Sequence, residues 1–150
     1  MTDDFYMAIA LEEAEAAFNK EEVPIGAVIV RDSIVIARAH NLRELTKDAT
    51  AHAEILAIQR ACNFLGGWRL TNSTLYVTIE PCPMCAGAIL QSRIDRVVIG
   101  AMDAKAGACG SVVNLLNNSS FNHKTQITSG VLEESCRGIM QDFFSQLRKK

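Results

Sequence analysis

Two short motifs about thirty residues apart set the tightest constraint on how this chain can fold. The first is His52-Ala53-Glu54. The second is Pro81-Cys82-Pro83-Met84-Cys85. One imidazole and two thiols make a donor set for zinc. Three protein ligands with the fourth position left to water mark a catalytic zinc, whereas a structural zinc is closed by four. A fold that holds His52, Cys82 and Cys85 around one ion must bring both motifs to one place. Glu54, two residues after the histidine, is a carboxylate able to shuttle protons for a metal-activated water.

Each motif opens a predicted helix. The helix over about 51–65 carries Ile55, Leu56, Ile58, Ala61, Cys62 and Leu65, which cover most of its circumference and predict burial on more than one side. His52 and Glu54 fall in its first turn, two positions apart, so they point in different directions around the axis. Thr74 to Ile79 reads as a buried strand. Pro81 then favours a helix start, because its missing N–H costs nothing in a first turn. Cys82 and Cys85, at i and i+3, face the same way, and the positive end of the helix favours their thiolates. Ala86 to Leu90 has no polar side chain and little bulk, which predicts deep burial, with a second copy of the chain as a candidate cover. A structural zinc would need a fourth ligand from His40, His123 or Cys109. None of these has ligand spacing to the cysteine pair, and a structural site leaves Glu54 unexplained.

The remaining elements read in order. Met7, Ala10, Leu11, Ala14, Ala17 and Phe18 predict an amphipathic helix over about 4–19, capped by Thr2 or Asp3. Ile25–Val30 and Ile34–Ala39, separated by Arg31-Asp32-Ser33, predict a hairpin. Asn41 follows the second strand and, by position alone, is a turn residue. Trp68, after Gly66-Gly67, reads as a hydrophobic plug rather than a base-stacking platform. Arg96–Ala101 is a strand, and the loop 102–111 leaves its carboxyl end, where open α/β sheets place ligand sites. Gln126 to Thr128 predicts a short edge strand. The last helix, about Leu132 to Arg148, carries an apolar stripe of Leu132, Cys136, Ile139, Met140, Phe143 and Leu147. Phe144 lies off that stripe and shares a face with Arg137, Gln141 and Arg148, which suits stacking on an unstacked base, although from spacing alone a Phe covered by a loop or subunit is the plainer reading. The order implies an α/β chain: a mixed sheet with helices on both faces, mostly parallel after the hairpin.

Composition bounds the rest. At 150 residues, 49 % hydrophobic and 21 % charged, the chain fits one domain, 1–150. It has no eighteen-residue apolar run, so no membrane span is expected. Met1-Thr2-Asp3-Asp4 lacks the basic start of a signal peptide, and five cysteines, an odd number, argue against a disulfide framework. A cytoplasmic location is expected. The net charge of −2 hides an asymmetry: residues 1–22 hold seven acids and one lysine, the rest ten acids and fourteen bases. A positively biased body can hold a small RNA element, although solvated surface is the plainer reading.

Taken together these residues resemble the cytidine deaminase-like superfamily, and within it the bacterial TadA family of tRNA-specific adenosine deaminases. The similarity runs through Val23-Pro24-Ile25-Gly26-Ala27, Ala37-Arg38-Ala39-His40-Asn41, Thr50 to Glu54 and Leu75 to Ala88. It continues through Ala104 to Ser111, Phe121-Asn122-His123 and Asp142-Phe143-Phe144. The H-x-E and P-C-x-x-C pair is a general signature of zinc deaminases; the C-terminal segments are what resemble this family.

The resemblance implies a three-layer α/β/α fold on a five-stranded mixed sheet, with the hairpin beside three roughly parallel strands. It implies His52, Cys82 and Cys85 as ligands of one Zn2+ per subunit, and Glu54 as the proton shuttle while activated water attacks C6 of adenosine. Asn41 matches a residue contacting the flipped adenine. Asp103 and Lys105 match an anticodon-loop contact region, Phe144 an aromatic near bound RNA, and His123 a weaker correspondence. The implied partners are a tRNA anticodon stem-loop and a second copy in a homodimer. Met102 and the short Arg148-Lys149-Lys150 tail depart from the pattern and bear on RNA contacts alone. Two other functions fit the zinc motif: a free nucleobase or nucleoside deaminase of guanine or cytosine type, and a zinc-stapled RNA-binding module without activity.

Overall fold

Helix α1 (Asp3–Asn19) starts where the Thr2 hydroxyl accepts the Phe5 N–H at 3.2 Å. This computed structural model describes residues 1–149; Lys150, the end of the basic tail, lies outside the described residues. The hairpin strands are β1 (Gly26–Arg31) and β2 (Ile34–His40). They are joined through Asp32 and Ser33, both at positive φ. After α2 (Arg43–Thr46) and α3 (Ala53–Leu65) comes β3 (Ser73–Ile79), then α4 (Pro83–Gln91), β4 (Arg96–Ala101), β5 (Gln126–Ser129) and α5 (Glu133–Arg148).

The sheet order is β2-β1-β3-β4-β5. β1 is antiparallel to both neighbours, with Ala27 opposite Val77, while β3, β4 and β5 run parallel, with Leu75 opposite Val97. The expected five-stranded mixed sheet is therefore present, with β5 as its edge. Alternation explains the three layers. Ala27, Ile29, Leu75, Val77, Val97 and Ile99 turn to the face covered by α3 and α4. Val28, Val30, Tyr76 and Val98 turn to the opposite face, against Tyr6, Met7 and Ala10 of α1 and Cys136 of α5. The central strands are buried on both sides, so they read as continuous apolar runs.

Two details fix the outer helices. At Gly26 an added Cβ would lie 2.7 Å from the Ala14 nitrogen and 2.8 Å from the Glu13 Cβ, so α1 rests directly on the strand. At the start of α1, the Asp3 carboxylate accepts two Arg96 N–H bonds, at 3.0 and 2.6 Å, and the Tyr76 hydroxyl at 2.8 Å. The Arg96 hydrogen bonds hold the Asp3 carboxyl below its ordinary value despite partial burial.

In the polar segment after Asn41, α2 starts where the buried Glu22 carboxylate accepts the N–H groups of Glu44 and Leu45. Several expectations need correction. Pro83, not Pro81, occupies the first turn of α4; Cys82 stays extended before it, as a residue preceding proline must. Trp68 is no plug: it is 52 % exposed with the Arg69 guanidinium over its ring at 4.3 Å, and Leu70 fills the core instead. Leu147 leaves the apolar stripe and is 47 % exposed. α3 is buried on one side only, since Ala53, Ala57 and Ala61 are covered while Phe64 is open to solvent. Among the described residues no helix is long and apolar enough to cross a membrane.

Candidate active site

The two motifs meet at the N-termini of α3 and α4. His52 and Cys82 are the N-cap residues of these helices, and neither side chain caps its own helix. Asn41, at the end of β2, does that for α3: its Oδ1 accepts the Ala53 N–H at 2.7 Å. The imidazole is thereby left to other partners. His52 Nδ1 lies 3.7 Å from Cys82 Sγ and 3.5 Å from Cys85 Sγ. The three ligand atoms all fall within 4.8 Å of one another, a spacing that fits a metal ion.

The electrostatics agree with such a group. The hydrogen bond from the Cys85 thiol, with His52 on the other side, pulls the Cys82 thiol down to about 4. Cys85 is pushed far up, first because it donates its proton to Cys82 and second by burial. A cation bound between them would favour both thiolates. His52 is raised, chiefly by its hydrogen bond to Cys82. Glu54 is 3 % exposed, and burial pushes its carboxyl up to about 7, with its own backbone N–H and His52 opposing the rise.

The candidate fourth ligands are elsewhere. His40 is engaged by Glu13 at 2.8 Å and Lys20 at 3.0 Å, and His123 by the Ile94 carbonyl at 2.9 Å. Cys109 is buried outside the cluster.

Asp103, Lys105 and Phe144 come together beside this centre, not over it. They line a groove of about 1090 Å³ with Met102, Arg137 and Gln141, and none of His52, Glu54, Cys82 or Cys85 lines it. Asp103 Oδ1 accepts the N–H groups of Lys105 and Ala106 at 3.0 and 3.3 Å and so builds the turn that presents the lysine. Phe144 packs edge-on to Phe143 and, with Leu147, separates this groove from a second one lined by Lys20, Val23 and Glu44.

One buried carboxylate went unread in the sequence. Glu80, just past β3, is 4 % exposed. Its Oε1 accepts the Asp103 N–H at 2.8 Å and the Ser111 hydroxyl, and its Oε2 accepts the N–H groups of Cys109 and Ser111, both at 3.0 Å. Burial would raise this carboxyl, but these hydrogen bonds outweigh it and lower it. The one available signal was a charge at the end of an apolar strand.

Comparison with known proteins gives this geometry a family. The model of the MafB19-like deaminases matches residues 1–148. A tRNA-specific adenosine deaminase of Bacillus subtilis is 55 % identical over 99 % of this chain and 92 % of its own length. One from Haemophilus influenzae is 46 % identical over 99 % of this chain and 86 % of its own. The chain belongs to the tRNA-specific adenosine deaminase family. A solved structure from work on A-to-I editing by tRNA:A34 deaminases superposes on this deaminase with a TM-score of 0.87 at 46 % identity, covering 90 % of this chain and 98 % of that one. A guanine deaminase of Bacillus subtilis is more distant, with a TM-score of 0.67 at 30 % identity over 100 % of this chain and 96 % of its own.

Proposed function

We propose that this chain converts adenosine to inosine at the wobble position of tRNA, releasing ammonia, with residues 1–150 acting as a single zinc-dependent deaminase domain. The observation that carries the reading is a His-Cys-Cys group beside a buried glutamate, in a chain 55 % identical to a tRNA-specific adenosine deaminase. His52, Cys82 and Cys85 would hold the ion, one per subunit; two sulfurs and one imidazole nitrogen are donors that zinc accepts. Zinc bound there supplies a water acidic enough to act as nucleophile near neutral pH, together with charge stabilisation.

Glu54 moves the protons. Its carboxylate takes one as water adds to C6 of the base and gives it to the ring nitrogen N1, then takes the second from the new C6 hydroxyl and delivers it to the departing amino group, which leaves as ammonia. A carboxyl raised by burial toward neutrality is suited to both halves of that exchange. Asn41 has its Oδ1 committed to Ala53, so its amide nitrogen is the end that contacts the flipped adenine. Asp103, Lys105 and Phe144 hold the anticodon stem-loop in the neighbouring groove, the lysine against phosphate and the phenylalanine against an unstacked base. The working unit is a homodimer in the cytoplasm. Exposed Met84 and Phe121, beside the half-buried Gly87 on the outer face of α4, support a second copy there, and sedimentation checks it.

The test is inosine formation on a synthetic anticodon stem-loop with adenosine at the wobble position. Wild type is expected to turn over, and Glu54→Ala to keep its zinc and lose activity. The match to a guanine deaminase makes free bases the comparison substrates. Turnover of guanine or cytosine, with none of the stem-loop, would replace this reading.

A further inference from the structure

Glu80 carries a buried charge that the proposed reaction leaves without a task. Its two oxygens receive four hydrogen bonds, which uses the full acceptor capacity of a carboxylate. Three donors are backbone amides, at positions 103, 109 and 111, and the fourth is the Ser111 hydroxyl. No ion pair to it exists among the described residues. The chain passes so close over the carboxylate that a Cβ on Gly107 would strike the Glu80 carboxyl. Glu80 is also rigidly mounted. Its own N–H donates to the Ala101 carbonyl at 2.9 Å, extending the pairing of β3 with β4, and Pro81 at its other side accepts the Ala108 N–H at 2.9 Å. Two residues on is Cys82. One carboxylate therefore ties the helix start that bears the cysteines to the loop that bears Asp103 and Lys105.

We infer that Glu80 is a positioning residue for the RNA: it fixes the 103–111 loop relative to the metal centre and so sets how tightly the stem-loop is held, while taking no part in the chemical step. This rests on the groove being the RNA site, as proposed above. Gathering four donors in one place is work that a neutral amide does poorly, since glutamine offers a single acceptor oxygen and brings two donors that face donors. The loop would then sample several positions, and RNA contacts made only in one of them weaken by the fraction of time it is populated.

The experiment compares zinc-loaded wild type with Glu80→Gln and Gly107→Ala, which disturbs the same contact with the carboxylate intact. Zinc content, stem-loop kinetics and amide hydrogen exchange are measured on each. Both variants are expected to hold one zinc per chain and keep kcat within about threefold, while KM for the stem-loop rises about tenfold. Exchange at 103, 109 and 111 should quicken selectively. A fall in kcat with KM unchanged, loss of zinc, or exchange at those amides equal to wild type would overturn the inference. Failure of wild type to act on the stem-loop would instead sink the functional reading, and the exchange measurement would still judge the clamp.

Discussion

Replacing Asp3 with asparagine tests how α1 is held to the sheet. The carboxylate accepts three hydrogen bonds, two of them from the Arg96 guanidinium, and its side chain is 29 % exposed. Asparagine keeps one acceptor oxygen and turns an NH2 toward the guanidinium. Hydrogen bonds to a charged group contribute up to about 3 kcal/mol when buried, while fully exposed ion pairs contribute less than about 1 kcal/mol. Partial exposure places the loss near 2 kcal/mol, with a small part from the lost negative charge in the first turn of α1. For a chain of this size that lowers the melting temperature by about 4–8 °C. The pH dependence has a defined sign. The Asp3 carboxyl is lowered from 3.8 in the folded state, so its stabilisation is complete above that value and fades as pH falls through the depressed one. Urea unfolding of zinc-loaded wild type and Asp3→Asn from pH 7 to pH 3 should show a constant gap down to about pH 4 that then closes. The gap between the two proteins carries the result, because metal loss in acid affects both. A gap under about 0.5 kcal/mol at pH 7, or one that widens in acid, would refute the reasoning.

Other changes reach the site and the core. Cys85→Ser should leave zinc near zero by elemental analysis, and chelation should abolish wild-type turnover until zinc is restored; full zinc in the variant would remove Cys85 from the ligand set. Phe144→Ala should raise KM for the stem-loop about tenfold, as loss of a stacking platform does, with the urea midpoint lowered only slightly, because the ring is 40 % exposed and loses one edge-on contact to Phe143. Gly26→Ala should cost about 3 kcal/mol or more, read as a lowered midpoint or insoluble expression, since the new Cβ meets α1 backbone; a wild-type midpoint would mean that the helix can move aside.

The metal motif was legible because zinc chemistry restricts residue type and spacing together, and the fold brings the ligand atoms of His52, Cys82 and Cys85 within 4.8 Å of one another. The central strands were legible because burial on both faces leaves uninterrupted apolar runs such as Ala27 to Val30 and Val97 to Ile99. Strand order came only with the resemblance, since nothing within β3 states that it lies beside β1. What escaped depends on partners distant in sequence that leave no local mark. α2 exists because of a carboxylate at Glu22, and the 102–111 loop is shaped by one at Glu80. Trp68 misled because a large apolar side chain was read as core, while the left-handed turn at Gly66 ends α3 just before it and leaves it in solvent.

The clamp at Glu80 also says what can vary in this enzyme and what cannot. It grips main-chain amides, which every residue but proline supplies, so the side chains at 104, 105 and 106 are open to replacement without loosening it. Length is another matter. Inserting or deleting one residue between 103 and 111 would pull at least one amide out of register with a carboxylate that cannot follow. Libraries aimed at new RNA preferences therefore belong in substitution at these positions, and loop grafts of altered length belong in the segment 117–120, where the Asn118 side chain and carbonyl make only local turn bonds, to Ser120 and Phe121.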